Sequence, residues 1–280
     1  MKKYLFALSF LSFILIGCNE KGAQELLDQA RSLYENAEYG SAKQMLDKLK
    51  EDYPKETKIR RDGLLLMREI EIKEQERNIA YCDSMISVRE TEAVSLKSKF
   101  IFVKNEYDNI GKYVDKSYNP EPGYAPKYIN AYISAKNDLV LMSVYLGTPI
   151  NHSKVKASIP SGEFAETEDI PDDGGARYSF KDINGVAYET VTYQRGRDNG
   201  VLAFIRNYAN KKITIEYLGG KMSVTYILSE KEKNAVANTV DYYTTLKDIE
   251  DFQKEKKKGE ERLKYLEWKR KEAKASLIEE

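Results

Sequence analysis

The chain has 280 residues, and its 45 basic and 45 acidic side chains give a formal net charge of zero at neutral pH. This balance creates no global field that would attract nucleic acid, and we expect no nucleic-acid partner. One histidine and two cysteines argue against a transition-metal site and against a histidine-based catalytic triad.

An export signal opens the chain. Lys2 and Lys3 form a short basic region, and the thirteen residues from Tyr4 to Ile16 contain nothing more polar than serine. An apolar run of this length is too short for a bilayer, which needs about 20 residues, but it matches the core of a secretory signal peptide. We therefore predict that residues 1–17 are a cleaved signal peptide.

The apolar run ends in the sequence Leu15-Ile16-Gly17-Cys18, which resembles the lipobox of bacterial lipoproteins. The resemblance implies a diacylglyceryl thioether on Cys18, cleavage before this residue and acylation of the new amino terminus, with palmitate as a typical chain. Two or more acyl chains give stable anchoring, so we expect a membrane partner held through Cys18. Asn19 differs from the aspartate that typifies inner-membrane retention, and by the same resemblance we expect the outer membrane.

Residues 18–57 are predicted to hold the lipidated amino terminus and a helical hairpin. Apolar residues recur at helical spacing on both sides of a break at residues 37–40, and Pro54 ends the second helix. The intervals between small, aromatic and large apolar residues resemble a tetratricopeptide repeat, as in envelope lipoproteins that carry such repeats. The matching residues are Ala30, Tyr39, Ala42, Leu46 and Pro54.

Repeats of this kind bind peptides on a concave surface, and we regard Tyr34 and Tyr39 as candidate partner contacts. In the repeat family a glycine often stands where this chain has Ala37. One hairpin cannot bury its own apolar face, because stable arrays need about three repeats. We therefore expect the hairpin to dock on the next helix, and a hairpin that caps a longer bundle is the alternative to a peptide groove.

A long helix is predicted over residues 58–118, and a C-terminal helix over residues 229–280. In the first, residues from Ile79 to Val114 recur at alternating steps of three and four, which forms a heptad seam that needs a partner helix. The second begins with a capping box, Ser229-Glu230-Lys231-Glu232. We predict that the two helices pair as an antiparallel coiled-coil stalk, and a parallel homodimer is the rival arrangement.

Two side chains of these helices carry separate predictions. Cys82 lies on the seam and is the one cysteine left after lipidation of Cys18, so we expect a buried thiol and no internal disulfide. Trp268 lies in the stretch 254–274, which has ten basic and five acidic residues. We regard Trp268 as a third candidate partner contact, although the periodic leucines around it favour a solvated coiled-coil face.

Residues 119–228 are predicted to form an antiparallel β-meander head inserted between the helices, so the expected fold class is α+β. Two hairpin turns are marked by Asp182-Ile-Asn-Gly185 and by Gly219-Gly220. About seven or eight strands, including one over residues 201–208, are expected to close as a sandwich or a partial barrel. The segment 119–126, which contains three prolines, is the expected linker into this head.

The sequence offers little catalytic chemistry. His152 stands in a turn-like run, and we expect it in a surface loop. Residues 163–173 hold six carboxylates, whose density could suit Ca²⁺, although a solvated acidic loop is the favoured interpretation. We therefore predict no catalytic residues, no metal and no cofactor.

These features predict a membrane-anchored, non-enzymatic lipoprotein that acts as a protein-interaction or scaffold module in the bacterial cell envelope. An envelope protein is its expected partner. The alternative is a ligand-binding envelope lipoprotein whose β head takes a glycan, a lipid or a metal. An enzyme with a dispersed acidic site is a third hypothesis, for which no pair of carboxylates stands out.

Overall fold

The computed structural model describes residues 5–104, 110–120, 125–172, 175–220 and 222–276, with side chains from residue 19 to residue 275. These residues form five helices and ten strands, which confirms an α+β fold. The helices are α1 (Leu5–Glu35), α2 (Tyr39–Asp52), α3 (Thr57–Lys97), α4 (Val201–Asn207) and α5 (Glu230–Ser276).

The strands form two antiparallel sheets. They are β1 (Phe100–Val103), β2 (Lys112–Asp115), β3 (Lys127–Ser134), β4 (Leu139–Gly147), β5 (His152–Ser158), β6 (Phe164–Glu166), β7 (Arg177–Lys181), β8 (Ala187–Tyr193), β9 (Thr214–Gly219) and β10 (Met222–Ile227). One sheet has the order β1-β2-β3-β4-β8-β7, and the other has the order β10-β9-β5-β6. Both predicted hairpins, β7–β8 and β9–β10, are present, and the meander is interrupted where β5 and β6 cross into the smaller sheet.

The chain divides into two units. The helical unit comprises Met1–Met85 and Asp251–Glu280, and the β unit comprises Ile86–Glu250. Both α3 and α5 therefore contribute residues to each unit. The strands all lie between these two helices in the sequence, as predicted.

In the helical unit, α1 and α2 form the predicted hairpin, and its apolar face packs on α3. The shared core consists of Ala23, Leu27, Ala30, Ala42, Leu46, Leu49, Ile59 and Ile70. Ile59 and Ile70 belong to α3, so the expected docking on the next helix is confirmed. Gly63 of α3 permits close approach, because a Cβ atom there would lie 2.9 Å from a side-chain methyl of Leu49.

The turn between α1 and α2 places Ala37 at a positive φ of 60°. The N–H of Ala37 donates to the carbonyl of Tyr34 at 2.9 Å, and that of Glu38 donates to Leu33 at 2.9 Å. A glycine adopts this left-handed conformation freely, whereas an alanine strains the backbone. The geometry therefore gives a physical reason for a glycine at this position of the hairpin.

Within the helical unit, α3 and α5 run antiparallel and are joined by ion pairs along their length. The pairs are Asp83–Lys256 at 2.6 Å, Glu71–Arg262 at 3.2 Å and Glu69–Arg270 at 3.1 Å. The absent side chain of Gly259 makes room for Ile79, which a Cβ atom would approach to 3.1 Å. Cys82 is buried, as its place on the seam predicts, and burial raises the pKa of its thiol.

Helix α3 ends at Lys97, so the predicted helix over residues 58–118 is wrong beyond that residue. The chain continues as β1 and β2, which pair antiparallel. The Ser98 hydroxyl donates to the carbonyl of Ser95 at 2.7 Å, and this bond helps to end the helix where the sequence has no proline.

Of the predicted seam residues beyond Lys97, Phe100, Val103 and Val114 belong to the larger sheet, whereas Ile110 lies in no strand and is 42% exposed. Phe100 and Val114 are buried, as their spacing predicts, but they lie in β1 and β2. The four residues of β1 are aromatic or β-branched, which favours a strand, and periodicity alone does not separate a short apolar strand from a buried helix. The seam residue Tyr107 and the linker residues 121–124 lie outside the described residues.

The β unit has one large apolar core, to which both sheets and α4 contribute. Tyr193 and Tyr217 are completely buried in it, and burial raises the pKa of both phenols. The Tyr217 hydroxyl donates to the carbonyl of Tyr128 at 2.7 Å, and that of Tyr193 donates to the carbonyl of Ser153 at 3.1 Å. These bonds satisfy polar atoms that would otherwise be costly to bury.

The strand predicted over residues 201–208 is wrong, because this segment is helix α4. Gly200, at a φ of 82°, turns the chain before it, and the Asp198 carboxylate accepts the N–H of Leu202 at 3.3 Å. The apolar residues are buried at positions typical of one face of a helix. They are Val201, Leu202, Phe204 and Ile205.

The capping box that opens α5 is present as predicted. The N–H and the hydroxyl of Ser229 donate to the Glu232 carboxylate at 2.9 and 2.8 Å, and the N–H of Glu232 donates back to the Ser229 hydroxyl at 3.3 Å. Reciprocal bonds of this kind satisfy backbone donors that the first helical turn leaves unpaired.

Candidate functional site

Strand β7 is an edge of the six-stranded sheet, and it carries large apolar side chains that face solvent. Tyr178 is 59% exposed, Phe180 is 56% exposed, and Ile183 in the following turn is fully exposed. An edge strand presents unpaired N–H and C=O groups, which most proteins protect with charged residues or prolines. We call Tyr178, Phe180 and Ile183 the edge patch.

An ordered turn displays the outer end of the edge patch. One oxygen of the Asp182 carboxylate accepts the N–H of Asn184 at 2.9 Å and that of Val186 at 2.8 Å. Gly185 follows at a φ of 81°, which a glycine tolerates without strain. Ile183 therefore projects from a hydrogen-bonded hairpin turn.

Strand β8 and one arginine hold β7 in place. Tyr178 pairs with Thr190, and Phe180 pairs with Tyr188. At the start of β7, the Arg177 guanidinium donates to the carbonyl of Asn151 at 2.7 Å. The position of the edge patch therefore depends on the loop of residues 148–151, which joins β4 to β5.

A buried polar cluster fixes that loop. One oxygen of the Glu189 carboxylate accepts the N–H of Ile150 at 2.9 Å and that of Asn151 at 2.8 Å, and the other accepts the N–H of His152 at 2.9 Å. The His152 ring places Nδ1 2.9 Å from Glu189 and Nε2 3.0 Å from the Ser143 hydroxyl. Ser143, His152 and Glu189 are each at most 2% exposed.

Hydrogen bonds keep Glu189 charged in this setting. Burial raises the pKa of its carboxyl, but hydrogen bonds from the His152 ring and from the backbone of Asn151 and His152 outweigh burial and lower the pKa from 4.5 to about 2. Burial and, to a smaller degree, the Glu189 charge raise the pKa of the neighbouring Tyr145 phenol. At the centre of the cluster lies a buried, ionised carboxylate that accepts hydrogen bonds from backbone N–H groups and from the His152 ring.

The cluster has the partner order of a serine-hydrolase triad, namely hydroxyl, imidazole and carboxylate. The Ser143 hydroxyl is completely buried, however, and it also lies 3.5 Å from the carbonyl of Val191. A hydroxyl with no exposed surface is closed to a substrate that arrives from solvent. The arrangement can hold a loop and a sheet together, but it does not present a nucleophile.

The prediction that His152 lies in a surface loop is wrong. Asn151 has a positive φ of 55°, but His152 is the first residue of β5 and is buried. A register shift between His152 and Lys154 changes the alternation of the strand, so the inward pattern of Val155 and Ala157 does not extend back to residue 152 by simple counting.

The sequence did contain a signal for Glu189, which sequence reasoning missed. Residues 187, 189, 191 and 193 of β8 are buried and alternate with half-buried neighbours. Their side chains are alanine, glutamate, valine and tyrosine, so a carboxylate stands on the apolar face of the strand. A buried carboxylate needs donors, and the pattern therefore indicates a polar partner whose identity the sequence does not reveal.

The three predicted partner contacts lie in the helical unit. The rings of Tyr34 and Tyr39 come together with centroids 5.9 Å apart, and the Arg77 guanidinium lies 5.7 Å from the Tyr39 ring. Burial, followed by the charge of Glu69, raises the pKa of Tyr34. Trp268 lies on α5 and is half exposed. The structure thus joins two of the three candidates at the α1–α2 turn.

The acidic loop forms ion pairs with basic side chains. Glu168 pairs with Arg197 at 3.1 Å, and Glu166 pairs with Lys154. Asp173 lies outside the described residues. Within the described part of the chain, no three His, Cys, Asp or Glu side chains form a group that could hold a metal ion.

The side chain of Cys18 lies outside the described residues. The backbone around it belongs to α1. Among the helices as far as they are described, none has both the length and the hydropathy that crossing a membrane requires. No family model, no curated protein and no solved structure matches this chain.

Proposed function

We propose that this chain is a lipid-anchored lipoprotein of the bacterial cell envelope that acts as a non-enzymatic interaction module. Its β unit binds a protein partner through the edge patch. The observation that carries the proposal is the exposure of Tyr178, Phe180 and Ile183 along an edge strand. The lipobox ending in Cys18 supports the anchor.

The geometry suggests how the partner binds. A partner in extended conformation adds a strand alongside β7, where backbone hydrogen bonds supply affinity and side-chain pockets supply specificity. Phe180 and Tyr178 lie two residues apart and therefore on the same face of the strand. Arg177 and Lys181 flank them, so a partner with apolar residues at alternate positions and a carboxylate near either end fits best.

Crosslinking in native cells followed by mass spectrometry tests this proposal. The variant is the triple substitution Tyr178→Ser, Phe180→Ser and Ile183→Ser, which removes exposed side chains and leaves the core intact. The matched control is Phe164→Ser, Met222→Ser and Ile227→Ser, which removes three half-exposed apolar side chains from the two edge strands of the four-stranded sheet. We expect a discrete protein partner that is lost with the first variant and kept with the second.

Other outcomes would change the assignment. A partner that survives the edge-patch variant would contradict the proposed surface. If neither the unaltered protein nor the variants captured a protein, the β unit would be better explained as a binder of a glycan, a lipid or a metal. A screen of glycans and lipids, read as a rise in melting temperature, would then be the appropriate assay.

The anchor is tested separately by metabolic labelling with palmitate. We expect label in the unaltered protein and in Cys82→Ala, but none in Cys18→Ala, because Cys82 is a buried thiol. Label that persists in Cys18→Ala would refute the anchor. Membrane fractionation of Asn19→Asp tests the outer-membrane assignment, which predicts a shift toward the inner membrane.

A further inference from the structure

Two open grooves in the helical unit share a wall. One lies between α2 and α3 and has a volume of about 530 Å³, and the other lies between α3 and α5 and has a volume of about 390 Å³. Arg61 and Leu64 line both, and Leu64 is half exposed. The lining of the second groove defines what we call the basal surface. Its residues are Arg61, Leu64, Leu65, Arg68, Lys269, Glu272 and Ala273.

The basal surface lies at the end of the helical unit from which α1 enters. Gly22 of α1 packs against the Tyr53 ring, and Tyr53 directly precedes the turn into α3. The backbone is helical from Cys18 to Gly22. At a rise of 1.5 Å per residue, these two Cα atoms are therefore about 6 Å apart along the axis.

The last turns of α5 reach the same end of the helical unit. Arg270 pairs with Glu69 of α3 at 3.1 Å, and Ala273 lies across the groove from Leu65. Trp268 and Tyr265, both about half exposed, have ring centroids 6.0 Å apart. The Lys269 ammonium lies 4.4 Å from the Trp268 ring centroid and pairs with Glu272 at 3.1 Å.

The two helix segments that line the basal surface are each net positive, although the whole chain is neutral. Residues 55–68 contain five basic and two acidic side chains, and residues 264–274 also contain five and two. Basic residues beside exposed apolar and aromatic side chains suit the headgroup layer of an anionic bilayer, where indole rings reside.

We propose that the basal surface and Trp268 rest on the anionic phospholipid headgroups of the membrane that holds the lipid anchor. This inference rests on the proposed lipidation of Cys18, which brings the surface to the bilayer. Arg61, Arg68 and Lys269 attract phosphate groups, while Leu64 and Trp268 enter the headgroup layer. This second contact fixes the orientation of the helical unit on the membrane.

A second copy of this chain is the competing occupant of the basal surface, and charge argues against it. In a symmetric dimer the same patch meets itself. Each face would then carry three cations, Arg61, Arg68 and Lys269, and one carboxylate, Glu272, so two faces of net positive charge would meet, which is unfavourable. A phospholipid surface supplies the opposite charge instead.

The single tryptophan of the chain makes the proposal measurable. The acylated protein, purified from cells, is reconstituted into vesicles of phosphatidylethanolamine and phosphatidylglycerol, with and without brominated acyl chains. We expect the emission of Trp268 to shift to the blue and to be quenched by the brominated lipid. The same protein in phosphatidylcholine vesicles should show less quenching, because the anionic attraction is absent.

Charge variants separate a membrane contact from mere tethering. The variant is Arg61→Gln, Arg68→Gln and Lys269→Gln. The control is Lys254→Gln, Lys257→Gln and Lys258→Gln, which removes three cations that lie nearer the start of α5. We expect quenching to fall by roughly half or more in the first variant, because each removed cation weakens attraction to an anionic surface about fivefold. The control should quench like the unaltered protein.

Each outcome decides the proposal. Quenching that depends on anionic lipid and on the three basal cations supports it. Acylated protein whose Trp268 is not quenched overturns the membrane contact and leaves the lipid anchor standing. Protein whose amino-terminal peptide carries no acyl chain by mass spectrometry overturns the anchor, and the contact with it. A blue shift that grows with protein density in detergent, together with crosslinks between copies, overturns it in favour of self-association.

Discussion

The two units of this chain use charged side chains in opposite ways. In the helical unit, Glu69 and Glu71 of α3 pair with arginines of α5 while about 30% of each glutamate side chain remains exposed to water. In the β unit, Glu189 is buried and bound by backbone N–H groups and a histidine. Solvent screens the first kind of pair, whereas burial makes the second kind costly to disturb.

The comparison teaches that identical residue types carry very different energies in the two units. In the helical unit, the ion pairs between α3 and α5 are partly exposed and add little to stability. The β unit depends on a few buried polar atoms whose loss leaves donors unsatisfied. Substitutions should therefore separate the two units by the size of their effects.

The largest effect is expected from Glu189→Ala, which leaves buried N–H groups and the His152 ring without their acceptor. We expect the β unit to lose about 3–5 kcal/mol of stability. Hydrogen-exchange mass spectrometry on peptides from β4, β5 and β8 would measure this loss. Glu166→Ala, which breaks a half-exposed ion pair of the same unit, is the control and should cost less than about 1 kcal/mol.

Acid sharpens the same contrast. The pKa of Glu189 is lowered from 4.5 to about 2 in the folded protein. The ionised carboxylate therefore contributes fully to the free energy of unfolding above pH 4.5, and this contribution is lost as the pH falls to about 2. The loss corresponds to about 3 kcal/mol. Denaturant titrations of the unaltered protein and of Glu189→Gln should show a difference in the free energy of unfolding that decreases as the pH is lowered from 4.5 to about 2. A constant difference would contradict the assignment.

A smaller effect is expected from Tyr217→Phe in the β core. The substitution removes a buried hydroxyl that donates to the carbonyl of Tyr128 and leaves that carbonyl unpaired by the side chain. We expect a cost of about 1–2 kcal/mol. Tyr265→Phe, which alters a half-exposed ring of the helical unit, should change stability by less than about 0.5 kcal/mol. If Tyr217→Phe and Tyr265→Phe lowered the free energy of unfolding equally, the contrast between the buried β core and the exposed helical surface would be wrong.

In the helical unit, Ala37→Gly should be stabilising. Residue 37 has a φ of 60°, and relief of this strain outweighs the added freedom of glycine in the unfolded chain by about 0.5–1 kcal/mol. Trp268 fluorescence during denaturant unfolding reports on this unit. The same substitution at buried Ala42 should destabilise, because it adds a glycine to a helix interior. A loss of stability in Ala37→Gly would show that the turn is not strained.

The smallest effect is expected where α3 and α5 form ion pairs. A double-mutant cycle with Glu69→Ala and Arg270→Ala should give a coupling energy below about 1 kcal/mol. The coupling should decrease further in high salt, because the pair is partly exposed. A coupling as large as the cost of Glu189→Ala would remove the distinction between the two units.

Much of this fold can be predicted from the sequence, because local signals agree with the final structure. The capping box at Ser229, the turn at Asp182 to Gly185 and the seam residue Cys82 are all present as expected. The errors arose where a short apolar run fits two structures. Residues 100–103 and 201–208 are both rich in apolar residues, and only their tertiary neighbours decide that one is a strand and the other largely a helix.

The candidate sites were harder to predict than the elements. Tyr34 and Tyr39 lie close together because they stand on either side of the turn between α1 and α2. The edge patch depends on which strand lies at the border of the sheet, and sheet order is not written in local sequence. The environment of His152 depends on Ser143 and Glu189, which lie on two other strands. It also depends on a register shift in β5 that cannot be predicted from the residue types there.

The helical unit is discontinuous in sequence, and this has a consequence for the order of folding. About 165 residues, from Ile86 to Glu250, separate its two segments. Closing an unstructured loop of that length costs about 4–5 kcal/mol of chain entropy. Within the folded β unit, however, Arg89 and Asp248 lie 3.1 Å apart. If the β unit folds first, it already holds α3 and α5 together at Arg89 and Asp248. The two segments of the helical unit then pair without paying most of the entropy of loop closure.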